Sequence, residues 1–494
     1  MQGKKTYQEK LFIQFQLSDY VPADNFYRRL KETLDFEFLY ATTSKYYGSE
    51  GQKSIDPVVF MKLMLVGYLE NLNSDRRIIC TSKLRLDILY ILDYDLDEEL
   101  PWHSTLSRTR QLYGQEVFSE LFRRVLGQCI EKGMVSGRRQ AVDGVYVKAN
   151  ASLDSMVRKD ILEDAERYAR ELEENEEVHA PRSVEMKKTK DRHYPLLRPK
   201  KNAHNDTHIS PSDPDAKMAV KTGKAMALNY LGQVSVDTAS HVITHIQAFT
   251  ADKNDSQCLP ILLPQLVRNL QEHGLDPEEL VADTGYSSGE ALKALQENNI
   301  RGYIPNRPHF MYEREGFSYN RQGDFYTCGN GKQLKYVGTF KNQRSFNREY
   351  RIGVGECREC PVKEMCPAYR KNKGTSIKST IDKDYYDQMH LRMQTKKAKI
   401  LMRKRQSTVE PVIGTLVNYL GMKKVNTKGL AQANKCMTIA AIAYNLKKML
   451  KFSPKNWISN LQRIKLAGKR LSQLIFNPSS MSLIRPGLDT LPTY

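Results

Sequence analysis

The stretch Gln140-Ala-Val-Asp143-Gly-Val-Tyr-Val-Lys-Ala-Asn150 decides the fold of this chain. Its β-branched residues, bounded by Gly and Asn, predict a short buried strand. Such a strand has no structural use for a carboxylate at its centre. A buried carboxylate ionises only when a cation or several hydrogen-bond donors replace its lost hydration. Asp143 therefore predicts a site where further acids gather around a cation.

Two further acids stand where they can join Asp143. Asp283 ends the apolar segment that begins at Glu279 and predicts a second strand, and acids at strand ends of an α/β sheet converge on one edge. Glu410 lies beside the apolar stripe of a helix predicted over 409–421, near the start of that helix. Because Ser407-x-x-Glu410 also satisfies the capping box, the local residues leave a structural and a catalytic role for Glu410 open.

The charge balance indicates a polyanionic partner. The 494-residue chain has 76 Lys and Arg against 57 Asp and Glu, a net charge of +19. Nucleic acid is the leading partner on these grounds, and an anionic membrane surface the weaker one. The sequence has no apolar run of about 20 residues and no apolar signal-peptide core near its start, which predicts a cytoplasmic protein that does not enter a membrane.

Basic residues and hydroxyls cluster in the N-terminal part, where the pattern is helical from about residue 7 to residue 134. The candidate DNA contacts in this part are Arg76, Arg77, Ser104, Thr105, Arg108 and Arg110. Hydroxyls and arginines presented together by a short helix are typical of a helix-turn-helix-like module. An ordinary helical bundle with solvated arginines explains the same residues equally well. Further candidate DNA contacts are Lys221, Lys224, Arg403, Arg405, Lys423 and Lys424.

Four of the eight cysteines are grouped. They are Cys328, Cys357, Cys360 and Cys366, in a Tyr-, Gly-, Lys- and Arg-rich segment. In a reducing compartment grouped thiols favour a metal site over disulfides, and structural Zn²⁺ would stabilise a segment with so little apolar content. Free thiols and a redox role are the alternatives. Cys80, Cys129, Cys258 and Cys436 lie in apolar helical surroundings, which predicts that they are core residues.

Three short acidic blocks resemble the catalytic motifs of bacterial insertion-sequence transposases of the DDE class. The blocks are Ala141-Val-Asp143-Gly, Val281-Ala-Asp283-Thr-Gly-Tyr286-Ser and Thr408-Val-Glu410-Pro-Val-Ile-Gly. The segments around Asp56-Pro57-Val58 and Ser210-Pro-Ser-Asp213-Pro-Asp215 are similar to one branch of these transposases, which has a helical N-terminal domain. Many relatives carry a tyrosine and an arginine just before the glutamate and a lysine seven positions after it. In this chain the fourth position before Glu410 is Gln406, with Arg405 one residue off, and the seventh position after it is Val417.

The resemblance implies a ribonuclease-H-like α/β fold, with a mixed central sheet, flanking helices, an all-helical N-terminal domain and a small insertion subdomain. It implies that Asp143, Asp283 and Glu410 bind two Mg²⁺ or Mn²⁺ ions, since three carboxylates suit hard divalent ions. The reaction it implies is hydrolysis at the terminal inverted repeats of the element, followed by attack of the freed 3′-OH on target DNA. A homodimer at the nucleoid is the expected assembly.

The expected domain organisation combines this resemblance with the changes in composition. The domains are a helical DNA-binding region at 1–138, a catalytic core at 139–306 and 400–452 with a mobile insertion at about 155–210, an insertion subdomain with the cysteine cluster at 307–399, and a basic tail at 453–494.

Several residues and functions stay open at this point. Asp237, Asp252 and Asp255 are interpreted as turn or solvated residues, with Asp252 the first of them to test. Tyr286 either stacks near DNA or packs in the interior. Two other functions fit the same core: a domesticated DNA-binding protein without catalysis, and a stand-alone metal-dependent nuclease.

Overall fold

The computed structural model describes residues 2, 5, 15–48, 50, 54–163, 167, 203–220, 225–342, 345–370 and 374–452. The chain forms two compact units, Met1–Lys447 and Lys448–Tyr494. Of the second unit only residues 448–452 are described, and the first four of them are helical. The architecture below is that of the first unit.

The described residues contain fourteen strands and fifteen α-helices. The strands are β1 Arg139–Lys148, β2 Val157–Arg158, β3 His208–Ile209, β4 Lys217–Ala219, β5 Ala227–Asp237, β6 Ile243–Thr250, β7 Glu279–Val281, β8 Arg301–Tyr303, β9 Phe317–Asn320, β10 Phe325–Cys328, β11 Gln333–Asn342, β12 Ser345–Ile352, β13 Tyr369–Arg370 and β14 Gly374–Thr380. The helices are Leu17–Tyr20, Phe26–Thr33, Phe38–Thr43, Pro57–Leu69, Asp75–Lys83, Leu86–Leu92, His103–Leu112, Gln115–Glu131, Ala203–Thr207, Asp255–Gln271, Gly289–Glu297, Val354–Arg358, Lys383–Met393, Lys396–Tyr419 and Leu430–Lys451.

The central sheet has the strand order of a ribonuclease-H-like fold, β6-β5-β1-β7-β8, with the short β4 also paired to β5. The strand β5 runs antiparallel to both β1 and β6, whereas β1, β7 and β8 are mutually parallel. Two alternating segments of the sequence, 226–237 and 241–250, predict a hairpin, and they form β5 and β6. Because parallel strands are joined through helices, helices cover the sheet, and most residues of its strands are buried. The predicted fold class is confirmed.

The C-terminal helix, Leu430–Lys451, covers the exposed edge of β6. Its Asn445 accepts a hydrogen bond from the Ile243 N–H at 2.9 Å, and its Asn434 accepts one from Ala248 at 2.8 Å. Side-chain amides thus satisfy backbone donors that an edge strand would otherwise offer to another chain. The start of this helix is bound by the Ser210–Asp215 motif, since Asp215 accepts a hydrogen bond from the Leu430 N–H at 2.8 Å. The motif therefore has a structural role.

The helix Lys396–Tyr419, called the site helix below, crosses the central sheet. Its buried positions are Ala398, Leu401, Arg405, Thr408, Val409, Val412 and Leu416. Sequence periodicity predicts a helix over 382–405 and another over 409–421, which is wrong, because the chain breaks at 394–395 and Thr395 begins the site helix by accepting a hydrogen bond from the Ala398 N–H. Glu410 consequently lies in a helix interior, and the capping-box interpretation of Glu410 is excluded.

The N-terminal helices pack against the C-terminal helix. Lys435 donates a hydrogen bond to the Arg110 carbonyl at 2.9 Å, and Gln115 donates one to Thr438 at 3.2 Å. Arg110 itself is 1% exposed, and its two terminal nitrogens, Nη1 and Nη2, donate to the Asp75 carboxylate at 3.2 and 2.5 Å. The prediction that Arg110 contacts DNA is wrong, because its charge is already neutralised in the interior.

Residues 317–380 fold into a second sheet of six antiparallel strands, β13-β14-β12-β11-β10-β9. Its small core includes Tyr326, Leu334, Tyr350, Ile352 and Ile377. The long hairpin β11-β12 exposes Phe340 and Phe346 to about half of their surface, 50% and 49% respectively. The short strands predicted near 317–319 and 324–327 form β9 and β10, but the hairpin was not foreseen.

Several predicted features lie outside the described residues. They are most of the mobile insertion at 155–210, the lysines Lys221 and Lys224, and the basic tail at 453–494. Cys80 is exposed, so its prediction as a core residue is wrong, whereas Cys129, Cys258 and Cys436 are buried. None of the helices in the described part of the chain is both long enough and apolar enough to span a bilayer.

Replacement of Arg110 by alanine should strongly destabilise the protein. The substitution leaves the Asp75 carboxylate without its main cation in a poorly hydrated place, and breaking a buried ion pair costs about 3–5 kcal/mol. Arg108, exposed on the same helix, is the matched control, and its replacement by alanine should change stability by less than about 0.5 kcal/mol. Urea unfolding followed by circular dichroism measures both, and equal midpoints for the two variants would contradict the assignment.

Candidate active site

The register of the parallel strands places Asp143 beside Asp283. Ala141 of β1 pairs with Val281 of β7. Asp143 follows two residues later within β1, and Asp283 follows two residues after Val281, where β7 has ended. The Asp283 carboxylate accepts a hydrogen bond from the Gly285 N–H at 2.8 Å, which fixes it at the start of the turn Thr284–Tyr286. Two acids that are far apart in sequence thus meet at the carboxyl edge of the sheet, as the strand pattern predicts.

Arg405 connects the third acid to this pair. Its Nη1 donates to Asp143 Oδ2 at 3.0 Å, and its Nη2 lies 3.8 Å from Glu410 Oε1. Arg405 is 7% exposed, whereas the Glu410 side chain is 57% exposed. Glu410 therefore lies one guanidinium group away from Asp143. Arg405 was predicted to bind DNA at the surface, and the structure instead buries it between two of the predicted catalytic acids.

Asp255 is a fourth acid at this edge, which the sequence interpretation assigned to a solvated turn. A β-carbon added to Gly144 would lie 2.4 Å from Asp255 Oδ1, and one added to Gly285 would lie 3.1 Å from Asp255 Oδ2. The Asp255 carboxylate therefore lies between the backbones that follow Asp143 and Asp283. The signal available in the sequence is the capping box Asn254-x-x-Gln257, which begins a helix at Asp255 and so aims its first turn at the strand ends.

Gln233 binds the Asp255 carboxylate, and Tyr286 in turn binds Gln233. Gln233 donates from Nε2 to Asp255 Oδ1 at 2.6 Å, and its Oε1 accepts the Tyr286 hydroxyl. Tyr286 is fully buried, so of its two predicted roles the structure selects interior packing. Burial, followed by the charges of Asp255 and Asp143, raises the pKa of the Tyr286 phenol, which keeps this group a neutral hydrogen-bond donor.

The site has an excess of negative charge. Burial raises the pKa of Asp143, the Arg405 guanidinium lowers it, and the charge of Asp283 raises it again. The donor set consists of carboxylate oxygens alone, the ligands that Mg²⁺ prefers. Among the described residues no three carboxylates, imidazoles or thiols converge on a single point. The Arg405 guanidinium lies between Asp143 and Glu410. The carboxylates of Asp143, Asp283 and Asp255 are thus suitable ligands for a divalent ion at this edge of the sheet. Glu410 lies on the far side of the Arg405 guanidinium.

Most of the other predicted DNA contacts in the described part of the chain are exposed or half-buried. Exposed side chains are Arg76, Arg77, Arg108, Arg403, Lys423 and Lys424, and half-buried ones are Ser104 and Thr105. Arg76 lies 3.2 Å from the His103 imidazole, and Arg108 donates to the Ser104 hydroxyl at 3.4 Å. The neighbouring Trp102 is 71% exposed. These residues remain available to a polyanion.

The four grouped cysteines line one cavity of about 330 Å³ at the end of the second sheet. Cys357 lies in a short helix, with its Sγ 3.2 Å from the Thr375 hydroxyl, and Cys360 accepts a long contact of 3.7 Å from Asn330. Folding therefore brings Cys328 to the three cysteines from which it is separated in sequence. The thiols line the cavity walls without converging, and no three of them meet around one point in the described residues.

A ribonuclease-H-like sheet with acids at the carboxyl edge of its parallel strands defines a class of enzymes that act on nucleic-acid phosphodiesters. Two family profiles match this chain: "Transposase domain (DUF772)" over residues 15–112 and "Transposase DDE domain" over residues 327–450. Two regions of the chain are thus similar to transposase domains, the second of them to the DDE domain. The predicted resemblance is confirmed.

Two solved structures of transposases are also similar to this chain. A piggyBac transposase synaptic complex with hairpin DNA is 10% identical, covers 95% of this chain and 86% of its own, and gives a TM-score of 0.31. A Mos1 transposase paired-end complex with the left transposon end is 9% identical over 56% of this chain and 70% of its own, with a TM-score of 0.16. No curated protein matches the sequence. At these TM-scores neither structure bears on the assignment.

Replacement of Gly144 by alanine should displace Asp255 and destabilise the protein. The new methyl group would stand 2.4 Å from Asp255 Oδ1 and 3.0 Å from Gln233 Nε2, and such overpacking costs about 1–3 kcal/mol. Gly414 on the site helix has no atom within 4 Å of an added β-carbon, so Gly414→Ala should stabilise by about 0.5–1 kcal/mol.

Thermal unfolding distinguishes these two glycine variants. The double variant Gly144→Ala/Asp255→Ala should recover part of the stability lost in Gly144→Ala, because the clashing carboxylate is gone. If Gly144→Ala melts at the temperature of the unmodified protein, the close approach of Asp255 is wrong.

Proposed function

We propose that this transposase binds the terminal inverted repeats of an insertion sequence, cleaves them by metal-dependent phosphodiester hydrolysis and joins the 3′-OH ends to target DNA. The observation that supports the proposal is the side-by-side placement of Asp143 and Asp283, with Glu410 across a single guanidinium group. Two ends must be held together for joining, so a homodimer is the proposed working assembly.

Each residue of the site has a role in this proposal. Asp143, Asp283 and Glu410 would hold Mg²⁺ or Mn²⁺, and two such ions, when bound, activate the attacking oxygen and stabilise the leaving one. Asp255 adds a fourth carboxylate, which Gln233 orients through its hydrogen bond of 2.6 Å. Burial raises the pKa of Asp143, and the nearby Arg405 guanidinium opposes that rise. The exposed residues Arg76, Arg77, Arg108, Arg403, Lys423 and Lys424, with Ser104 and Thr105, are the proposed DNA contacts.

Substitution of the three acids should abolish cleavage but spare DNA binding. Each of three substitutions removes a metal-binding oxygen: Asp143→Asn, Asp283→Asn and Glu410→Gln. We expect each to reduce cleavage of the DNA on either side of the transposase gene, where the terminal repeats lie, by roughly a thousandfold or more. Labelled duplexes of that DNA, incubated with Mg²⁺, report cleavage and strand transfer on gels. Binding at fixed salt should change by less than about twofold.

Two further variants make the comparison specific. Asp255→Asn should weaken Mg²⁺ activation by about tenfold, as a residue that supports a metal site does. Asp276→Asn, which removes an exposed carboxylate that bonds only Gln271 in the described residues, should leave cleavage unchanged. Cleavage without joining in the unmodified protein would indicate a stand-alone nuclease, and binding without cleavage a DNA-binding protein.

The cysteine cavity is the proposed site of a structural zinc ion. Four thiols around one cavity, in a sheet with a small apolar core, support this assignment. Protein purified without chelators should carry one zinc per chain by mass spectrometry, and Cys360→Ser and Cys366→Ser should each lose it. Cys80→Ser, outside the cavity and exposed, is the control that should retain it. Full-length protein without zinc would mean that the cysteines are free thiols.

A further inference from the structure

A groove much larger than a small-molecule pocket lies between the central sheet's helices and the second sheet. Its volume is about 1870 Å³, whereas pockets for small ligands measure about 300–1,000 Å³. Its lining includes residues 254, 256, 257 and 287–290 from the central sheet's side, and Lys341, Phe346 and Asn347 from the β11-β12 hairpin. The groove is therefore shaped for a segment of a polymer.

The groove begins next to the acidic edge. Asn254 and Ser256, which line it, flank Asp255 directly, and Ser287 follows the turn Thr284–Tyr286 that Asp283 begins. The groove is therefore adjacent in sequence to the helix start that carries Asp255 and to the turn that Asp283 begins.

The cations of the groove divide into paired and available ones. Arg321 and Lys383 both bind Asp387, at 3.0 and 2.6 Å. Arg307, Lys341 and Lys378 are exposed and have no ion pair among the described residues. Acidic side chains also line the groove, namely Glu290, Glu313, Glu315 and Asp382. The three cations without an ion pair can each bind a phosphate of a nucleic-acid backbone.

Aromatic side chains complete the lining. Phe310 stacks on Tyr386 with ring centroids 5.3 Å apart, and Tyr312 stacks on His390 with ring centroids 4.7 Å apart. The Lys383 ammonium lies over the rings of Phe310 and Tyr312. Because these rings already stack on protein side chains, they are not free to stack on a base. Phe346, by contrast, is 49% exposed, and it is the cross-strand neighbour of Lys341. An exposed ring next to an unpaired lysine can stack on a base while the lysine binds the adjoining phosphate.

We propose that the groove binds one strand of DNA that leaves the acidic edge, with phosphates at Arg307, Lys341 and Lys378 and a base stacked on Phe346. A single strand is favoured over a duplex because duplex bases are stacked on each other and offer Phe346 no free face. It is favoured over an acidic peptide because a DNA strand can stack a base on the exposed Phe346 ring and also place a phosphate at Lys341. The proposal deepens the proposed function, but the contact itself can be measured without cleavage.

The test compares two phenylalanines that are equally exposed on the same hairpin. Phe346 lines the groove, whereas Phe340, at 50% exposure, does not. A fluorescein-labelled oligothymidine of about 20 nucleotides is titrated with the full-length protein by anisotropy. Phe346→Ala should weaken binding by about tenfold, as loss of a base-aromatic stack does, and Phe340→Ala by less than about twofold.

Lysines supply a second readout that a loss of folding would not produce. Lys341→Ala and Lys378→Ala should each reduce the slope of log K against log salt by about 0.7, because one phosphate contact is lost. Lys335→Ala, on the same hairpin but outside the groove, should leave the slope unchanged. An oligothymidine that carries 5-iodouracil should crosslink to the peptide containing Phe346.

The possible results separate this proposal from the proposed function. Equal binding by Phe346→Ala and Phe340→Ala, or crosslinks only outside the groove, overturns the groove assignment even if end cleavage is intact. A duplex that competes as well as the single strand at equal nucleotide concentration overturns it as well. If the groove variants behave as expected but the protein neither cleaves nor joins DNA, the proposed function fails and the groove assignment stands.

Discussion

The arrangement of the acidic edge depends on one buried cation, the Arg405 guanidinium. It is 7% exposed, binds Asp143 at 3.0 Å and lies 3.8 Å from Glu410, while its Nε has no hydrogen-bond partner in the described residues. A buried guanidinium is costly without an anion, and a buried carboxylate is costly without a cation. The site helix is therefore held against β1 by charge as well as by its apolar stripe, and Glu410 is brought to the strand ends because Arg405 is.

A second cluster of charges holds the other end of the same helix. Glu279, fully buried at the start of β7, binds Arg139 of β1 at 2.6 Å and also binds Lys397 near the start of the site helix. Burial alone would raise the pKa of Glu279, but the hydrogen bonds from Lys397 and Arg139 outweigh it and lower the pKa. Ion pairs at both ends of the parallel strands thus fix the helix in position and angle. The relative placement of the acids follows from this frame rather than from the loops around them.

The parts of the site that could be predicted from sequence are those with local signals. Asp143 and Asp283 interrupt or end apolar strand patterns, and parallel pairing brings strand ends to one edge, so their meeting follows from elementary topology. Arg110 and Arg405 could not be assigned, because an arginine pattern on a helix is the same whether the guanidinium faces solvent or a buried carboxylate. The break before the site helix was misplaced because Thr395 begins it with a weak signal, whereas Ser407 and Pro411 imitate a helix start inside it.

Asp255 shows how the frame turns an ordinary helix start into part of a charged site. The helix Asp255–Gln271 follows β6 and begins where the backbones of Gly144 and Gly285 leave room for a carboxylate, since neither carries a β-carbon. Gln233, on the neighbouring strand, uses its amide to orient that carboxylate and uses its carbonyl to bind the buried Tyr286 hydroxyl. Asp143 and Glu410 share the Arg405 guanidinium, and Asp283 and Asp255 add two further carboxylates to this edge of the sheet. This excess of negative charge favours the binding of further cations. An edge built in this way is stabilised by the divalent ions that its proposed chemistry requires, and the groove beside it gives the DNA strand a path away from them.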